Sequence, residues 1–98
     1  MRLWIKVIAF DWDTGNVHKN KLKHNVTNQE AEEVFSNEPL IVSEDIKHST
    51  NLEERYQALG KTNNKRRLFL SFTIRNNKIR VISIRDMSKK EKAIYEQS

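Results

Sequence analysis

Among the side chains able to do chemistry, His24 stands first. Its unperturbed pKa of about 6.5 lets it take or give a proton near neutrality. It follows Lys23 at the expected end of a helix, where the dipole favours the protonated ring. Lys23 offers a cation for phosphate or for developing negative charge. Glu54, at the start of an expected strand, is a second candidate base. The same carboxylate could instead form a surface salt bridge with Arg55 or Lys61, worth at most about 1 kcal/mol. Arg67, Arg80 and Arg85 come from neighbouring expected strands, and a planar guanidinium fork matches phosphate oxygens. Arg80 and Arg85 lie five residues apart. In an unbroken strand they would face opposite sides. Either one of them lies outside the site, or the strand ends or bulges before Arg85. We place Arg80 within the site and Arg85 at its rim.

These residue types leave metal-free RNA cleavage open. The ribose 2′-oxygen attacks the adjacent phosphate, which needs a base for the 2′-hydroxyl, an acid for the leaving 5′-oxygen and cations for the phosphorane. DNA lacks the 2′-hydroxyl and would be spared. Arg85, Arg55 and Trp12 are candidates to bind such a substrate. Trp12 could stack on a base, an interaction worth about 1–3 kcal/mol. Its competing reading is core, as it is for Tyr56 and Tyr95. The chain has no cysteine. That excludes disulfide scaffolds, cysteine zinc sites, thiol nucleophiles and iron–sulfur clusters. Asp45 and His48 could share one ion, but two ligands in a polar stretch read as solvated. Neither metal nor cofactor is expected.

The charge is uneven. The chain of 98 residues carries a formal +5, with net +3 over residues 1–28, −7 over 29–54 and +9 over 55–98. A polyanion is attracted to the last block and repelled by the middle one. The length suits one domain, here residues 1–98. No apolar run approaches the ~20 residues of a membrane span, and the start lacks a signal peptide's unbroken apolar stretch. Without cysteine the chain reads as cytoplasmic.

The elements that must position these groups follow from pattern. Leu3 to Phe10 alternates as a strand. Asp13 caps a helix expected to stop near His24, with Asn25 closing it in the left-handed region. Thr27 to Glu30 is a capping box opening a helix that buries Ala31, Val34 and Phe35. Pro39 marks its exit, and Leu40 to Val42 is a second strand. Asp45 to Leu52 reads as loop. Arg55 to Leu59 is a third strand, ended by Gly60. Leu68, Leu70, Phe72 and Ile74 line one face of a fourth. Asn76-Asn77 suits a two-residue hairpin turn. Ile79 to Ile84 is a fifth, apolar on both faces and therefore central. Ser88 to Glu91 is a second capping box, opening a helix that packs Ala93, Ile94 or Tyr95. The class is α+β: a mostly antiparallel sheet of four to five strands, two N-terminal helices and one C-terminal helix.

Several segments together resemble the BrnT family of bacterial type II toxins. They are Phe10-Asp11-Trp12-Asp13, Asn20 to Val26, Glu30-Ala31 with Val34-Phe35, and Glu54-Arg55-Tyr56 with Gly60. Arg67-Leu68, Arg80 to Arg85, Glu91 and Tyr95 follow in the same order and spacing. The family usually has Gly at Asn25, a small residue at Ile84, and a basic and a small residue at Asp86 and Met87. The resemblance implies a RelE-like fold and ribonuclease activity that inhibits growth, and its motif strengthens His24 among the candidate catalytic residues Lys23, His24, Glu54, Arg67 and Arg80. It also implies a BrnA-like ribbon-helix-helix antitoxin in a heterocomplex of two toxins with an antitoxin dimer. Operator DNA would be met only through that antitoxin. The departures motivate an alternative: a degenerate homologue that keeps the antitoxin interface and autoregulation but has lost its chemistry. A third reading is a general RNA-binding domain.

Overall fold

A computed structural model describes residues 9–12 and 25–98. Lys23 and His24, the expected first helix and most of the expected first strand lie outside the described residues. Five strands form one mixed sheet: β1 (Ala9–Phe10), β2 (Ile41–Glu44), β3 (Arg55–Lys61), β4 (Arg67–Arg75) and β5 (Lys78–Asp86). Their order is β1-β5-β4-β3-β2. β1 runs parallel to β5, while the other three pairings are antiparallel. Two described helices, α1 (Asn28–Ser36) and α2 (Lys89–Glu96), accompany the sheet.

Both helices begin where side chains satisfy orphan amides. The Thr27 hydroxyl accepts from the Glu30 amide, and the Glu30 carboxylate accepts from the Thr27 amide at 3.0 Å. Ser88 and Glu91 repeat the arrangement at α2. Asn25 has φ of 53°. Asn76 and Asn77, at 53° and 63°, make the tight turn joining β4 to β5.

Alternation divides the sheet into two faces. Ala58, Leu68, Leu70, Phe72, Ile79, Val81 and Ile84 point to the helix-covered face, where they meet Ala31 and Val34 of α1. Phe72 is its centre, edge-on to Phe35 at 5.2 Å and stacked on Tyr56 at 5.4 Å. Removing that ring would cost about 3–5 kcal/mol.

One expectation changes, and one open choice is decided. Gly60 does not end the third strand; β3 runs on to Lys61. A Cβ at Gly60 would stand 2.5 Å from Val34 Cγ1 and 3.3 Å from the Val34 carbonyl oxygen. Gly60 is therefore the point where α1 meets the sheet. In α2 only Tyr95 is buried, and Ala93 and Ile94 are exposed. No helix among the described residues is long and apolar enough to cross a membrane.

Candidate functional site

The other face of the sheet gathers the arginines. β5 has one residue more than β4 at its middle: Phe72 pairs with Val81, but Ser71 pairs with Ser83. Ile82 is the extra residue, a β-bulge that resets the alternation. Ile84 thus shares the buried face with Ile79 and Val81, and Arg85 comes round to the side of Arg80. Of the possibilities left by the five-residue spacing, the bulge is the one realised.

Arg80 pairs across the sheet with Thr73, which pairs with Arg55. This row spans three strands, so Arg55 and Arg80 have Cα atoms about 10 Å apart. Glu53, Arg55, Thr73, Arg75, Arg80 and Ile82 line one cleft. Glu53 bridges two of its cations, accepting from Arg55 Nε at 3.3 Å and from Arg75 at 3.0 Å. Burial pushes the Glu53 carboxyl up, but these two guanidiniums outweigh it and hold it below its ordinary range. A second cleft shares Arg55 and Ile82 with the first and adds Asp45, His48, Gln57, Phe69, Ser71 and Ser83.

At the far end α2 supplies the counter-charges. Arg85 donates to both Glu91 oxygens, at 2.8 and 3.0 Å, and lies 4.2 Å over the Phe69 ring. That pair raises the Arg85 guanidinium above its ordinary value. Arg67 pairs with Glu96. The Tyr95 hydroxyl donates to the Pro39 carbonyl at 2.6 Å, anchoring the helix. Arg67 and Arg85 are thus held by carboxylates of α2, whereas Arg55 and Arg75 share Glu53.

Two proposed site residues stand apart from the arginine row. The Glu54 carboxylate accepts from the Tyr56 hydroxyl at 2.7 Å, on the helix side. That bond, with burial and the charges of Glu54 and Glu44, pushes the Tyr56 hydroxyl up to about 12. Its neighbour Glu53 occupies the arginine side. Period-two parity with Arg55 was the signal for Glu53, since adjacent residues of an extended chain point opposite ways. Trp12 stacks on Phe10 at 5.8 Å and donates to Glu32 at 2.8 Å. It belongs to the α1 side, partly buried against the core.

Three departures from the family pattern also lie off the arginine face. Ile84 and Met87 are buried. Asp86 accepts from Arg66 at 2.7 and 3.0 Å. Arg66 in turn donates to the Asn25 carbonyl at 2.9 Å and to Glu30 at 3.2 Å. Asp86 therefore ties the end of β5 to the start of α1.

The family model described as ribonuclease toxin, BrnT, of type II toxin-antitoxin system matches residues 12–91. The chain belongs to the BrnT family. No curated protein matches it. BrnT membership makes the general activity that of a ribonuclease toxin and implies a cognate antitoxin. The matched span contains the whole arginine face from Arg55 to Arg85.

Proposed function

We propose that this chain is a metal-independent endoribonuclease that cleaves single-stranded RNA on the open face of the sheet and thereby inhibits growth. The row Arg55–Thr73–Arg80, with Arg55 held by the Glu53 carboxylate that also holds Arg75, carries the reading. Preset cations stabilise the phosphorane without reorganising during the reaction. Lys23 and His24, which match the family motif, are proposed to join Arg80 in the chemistry. Glu54 and Arg67 serve that chemistry less directly, from the helix side and from the α2 end. Ile84, Asp86 and Met87 leave the open face as it is, which supports an active copy over a degenerate one. Metal independence draws on residue types, since the reaction needs only a base, an acid and cations for the phosphorane.

A BrnA-like ribbon-helix-helix antitoxin is proposed to neutralise the toxin by covering this basic face with acidic or helical surface. Two toxins with an antitoxin dimer are the proposed assembly, and a RelE-like fold and a cytoplasmic location go with it.

Inducible expression of the full chain in a bacterium tests the function, beside His24→Ala and Arg80→Ala. Growth arrest with loss of bulk RNA, from the parent only, is the expected result. A well-expressed parent that neither slows growth nor degrades RNA would overturn it.

A further inference from the structure

The second cleft holds a pair of residues with no part in the chemistry proposed so far. Asp45 precedes a short 3-10 turn (Ile46–His48), and its Oδ2 lies 2.9 Å from His48 Nδ1. A carboxylate has no proton to give, so Nδ1 carries the hydrogen and the lone pair falls on Nε2. Asp45 keeps only 10% of its side chain exposed, while His48 keeps 57% and lines the cleft beside Arg55, Ser71 and Ser83.

The pair is tied to Arg55 through the backbone. The Asp45 amide donates to the Arg55 carbonyl at 2.7 Å. The Ser49 hydroxyl donates to the Asp45 carbonyl at 2.8 Å and accepts from the Arg55 amide at 2.9 Å. These bonds set the imidazole's turn relative to the guanidinium strand. Burial pushes the Asp45 carboxyl up, but His48, followed by Gln57, holds it below its ordinary range. It therefore stays ionised at neutral pH and able to hold the Nδ1 hydrogen. Among the described residues, the charged groups that line the cleft with the ring are Asp45, beside its own turn, and Arg55 of β3. β4 and β5 present Phe69, Ser71, Ile82 and Ser83.

We propose that His48, oriented by Asp45, is the general base of RNA cleavage on this face. The proposal rests on the ribonuclease reading. Nε2 takes the 2′-hydroxyl proton and the 2′-oxygen bonds to phosphorus. The bond from phosphorus to the 5′-oxygen then breaks, leaving a 2′,3′-cyclic phosphate and a 5′-oxygen that takes its proton from water, and the hydroxide so formed takes the proton back from Nε2. Arg55 and Arg80 oppose the charge gathered on the phosphorane. Asp45 is a positioning residue.

The test uses the purified full chain in EDTA on a randomised single-stranded RNA and on RNA held by translating ribosomes. A DNA copy of the randomised strand serves as uncleavable ligand. His48→Ala and His48→Gln should lose about 10²- to 10⁴-fold in rate, with DNA-copy affinity and circular dichroism unchanged. Asp45→Asn should lower kcat more than it raises KM. If the His48 variants cleave within about threefold of the parent, the proposal falls while the ribonuclease reading stands. A parent that leaves RNA intact in both forms sinks the ribonuclease reading and this proposal with it.

Discussion

Arg80 and Arg85 stand on one face of the sheet although five residues separate them, because Ile82 is an extra residue opposite the Ser71–Phe72 step. The bulge keeps Ile84 in the core and both guanidiniums out of it. Without a bulge, one of the two arginines would be driven against Leu70 and α1. An unpaired buried charge costs several kcal/mol.

Deletion of Ile82 is therefore expected to be tolerated. Val81 still meets Phe72 and Ser83 still meets Ser71, now in a regular ladder. The loss should be about 1–2 kcal/mol, for one half-buried isoleucine. Deleting Ser71 on the opposite strand doubles the mismatch and should abolish cooperative unfolding. Urea denaturation followed by circular dichroism compares the two. Equal behaviour would mean that the bulge does not set the register.

Gly60→Ala should destabilise by about 1–3 kcal/mol, because the new methyl meets Val34 where the space is already filled. Val34→Ala alone leaves a cavity. The double variant should be more stable than the sum of the two losses, by at least about 0.5 kcal/mol. Strict additivity in a urea double-mutant cycle would count against direct packing of the two residues.

Arg55→Ala and Arg80→Ala should each weaken RNA binding and flatten its salt dependence. Removing one phosphate-neutralising cation should reduce the slope of log K against log salt by about 0.7 for a single strand. Arg66→Ala should leave the slope unchanged, since Arg66 serves Asp86, Glu30 and the Asn25 carbonyl on the helix side. Fluorescence anisotropy at several salt concentrations reads this. An unchanged slope in the Arg55 and Arg80 variants would move the interface elsewhere.

Glu91 ties α2 to the sheet and gives the fold an acid sensitivity. The Arg85 fork holds its carboxyl below the ordinary 4.5, against burial and aided by the Ser88 amide. A folded-state pKa that is lowered contributes stability above the unfolded value, lost as pH falls through the folded one. Glu91→Gln keeps the capping bond to Ser88 but not the charge. The variant should therefore be less stable at neutral pH, and the gap should close below about pH 4.5. Thermal melts from pH 7 to pH 3 test it. A gap that persists at pH 3 would show that charge is not the cause.

Much of the framework was legible in the residues themselves. Thr27 with Glu30 and Ser88 with Glu91 start helices because each box satisfies amides within four residues of chain. Asn76-Asn77 turns the chain because both residues accept positive φ. Leu68 to Ile74 alternates because one face of β4 is buried, and the basic block from Arg55 onward already pointed to a polyanion. These signals are local or summed, so they survive without coordinates. Tertiary structure decided the rest. Which way Arg85 points depends on how many residues β5 sets against β4, and only pairing between strands settles that count. Parity groups Glu53 with Arg55, but that this is the side of Arg75 and Arg80 follows from where β3 enters the sheet. Gly60 is where Val34 packs, and not a strand end, because a helix distant in sequence lies on it. Asp45 and His48 read as a solvated loop until the sheet placed Arg55, Ser71 and Ser83 around them. Each of these depends on partners brought together by long-range pairing, which no window along the chain contains.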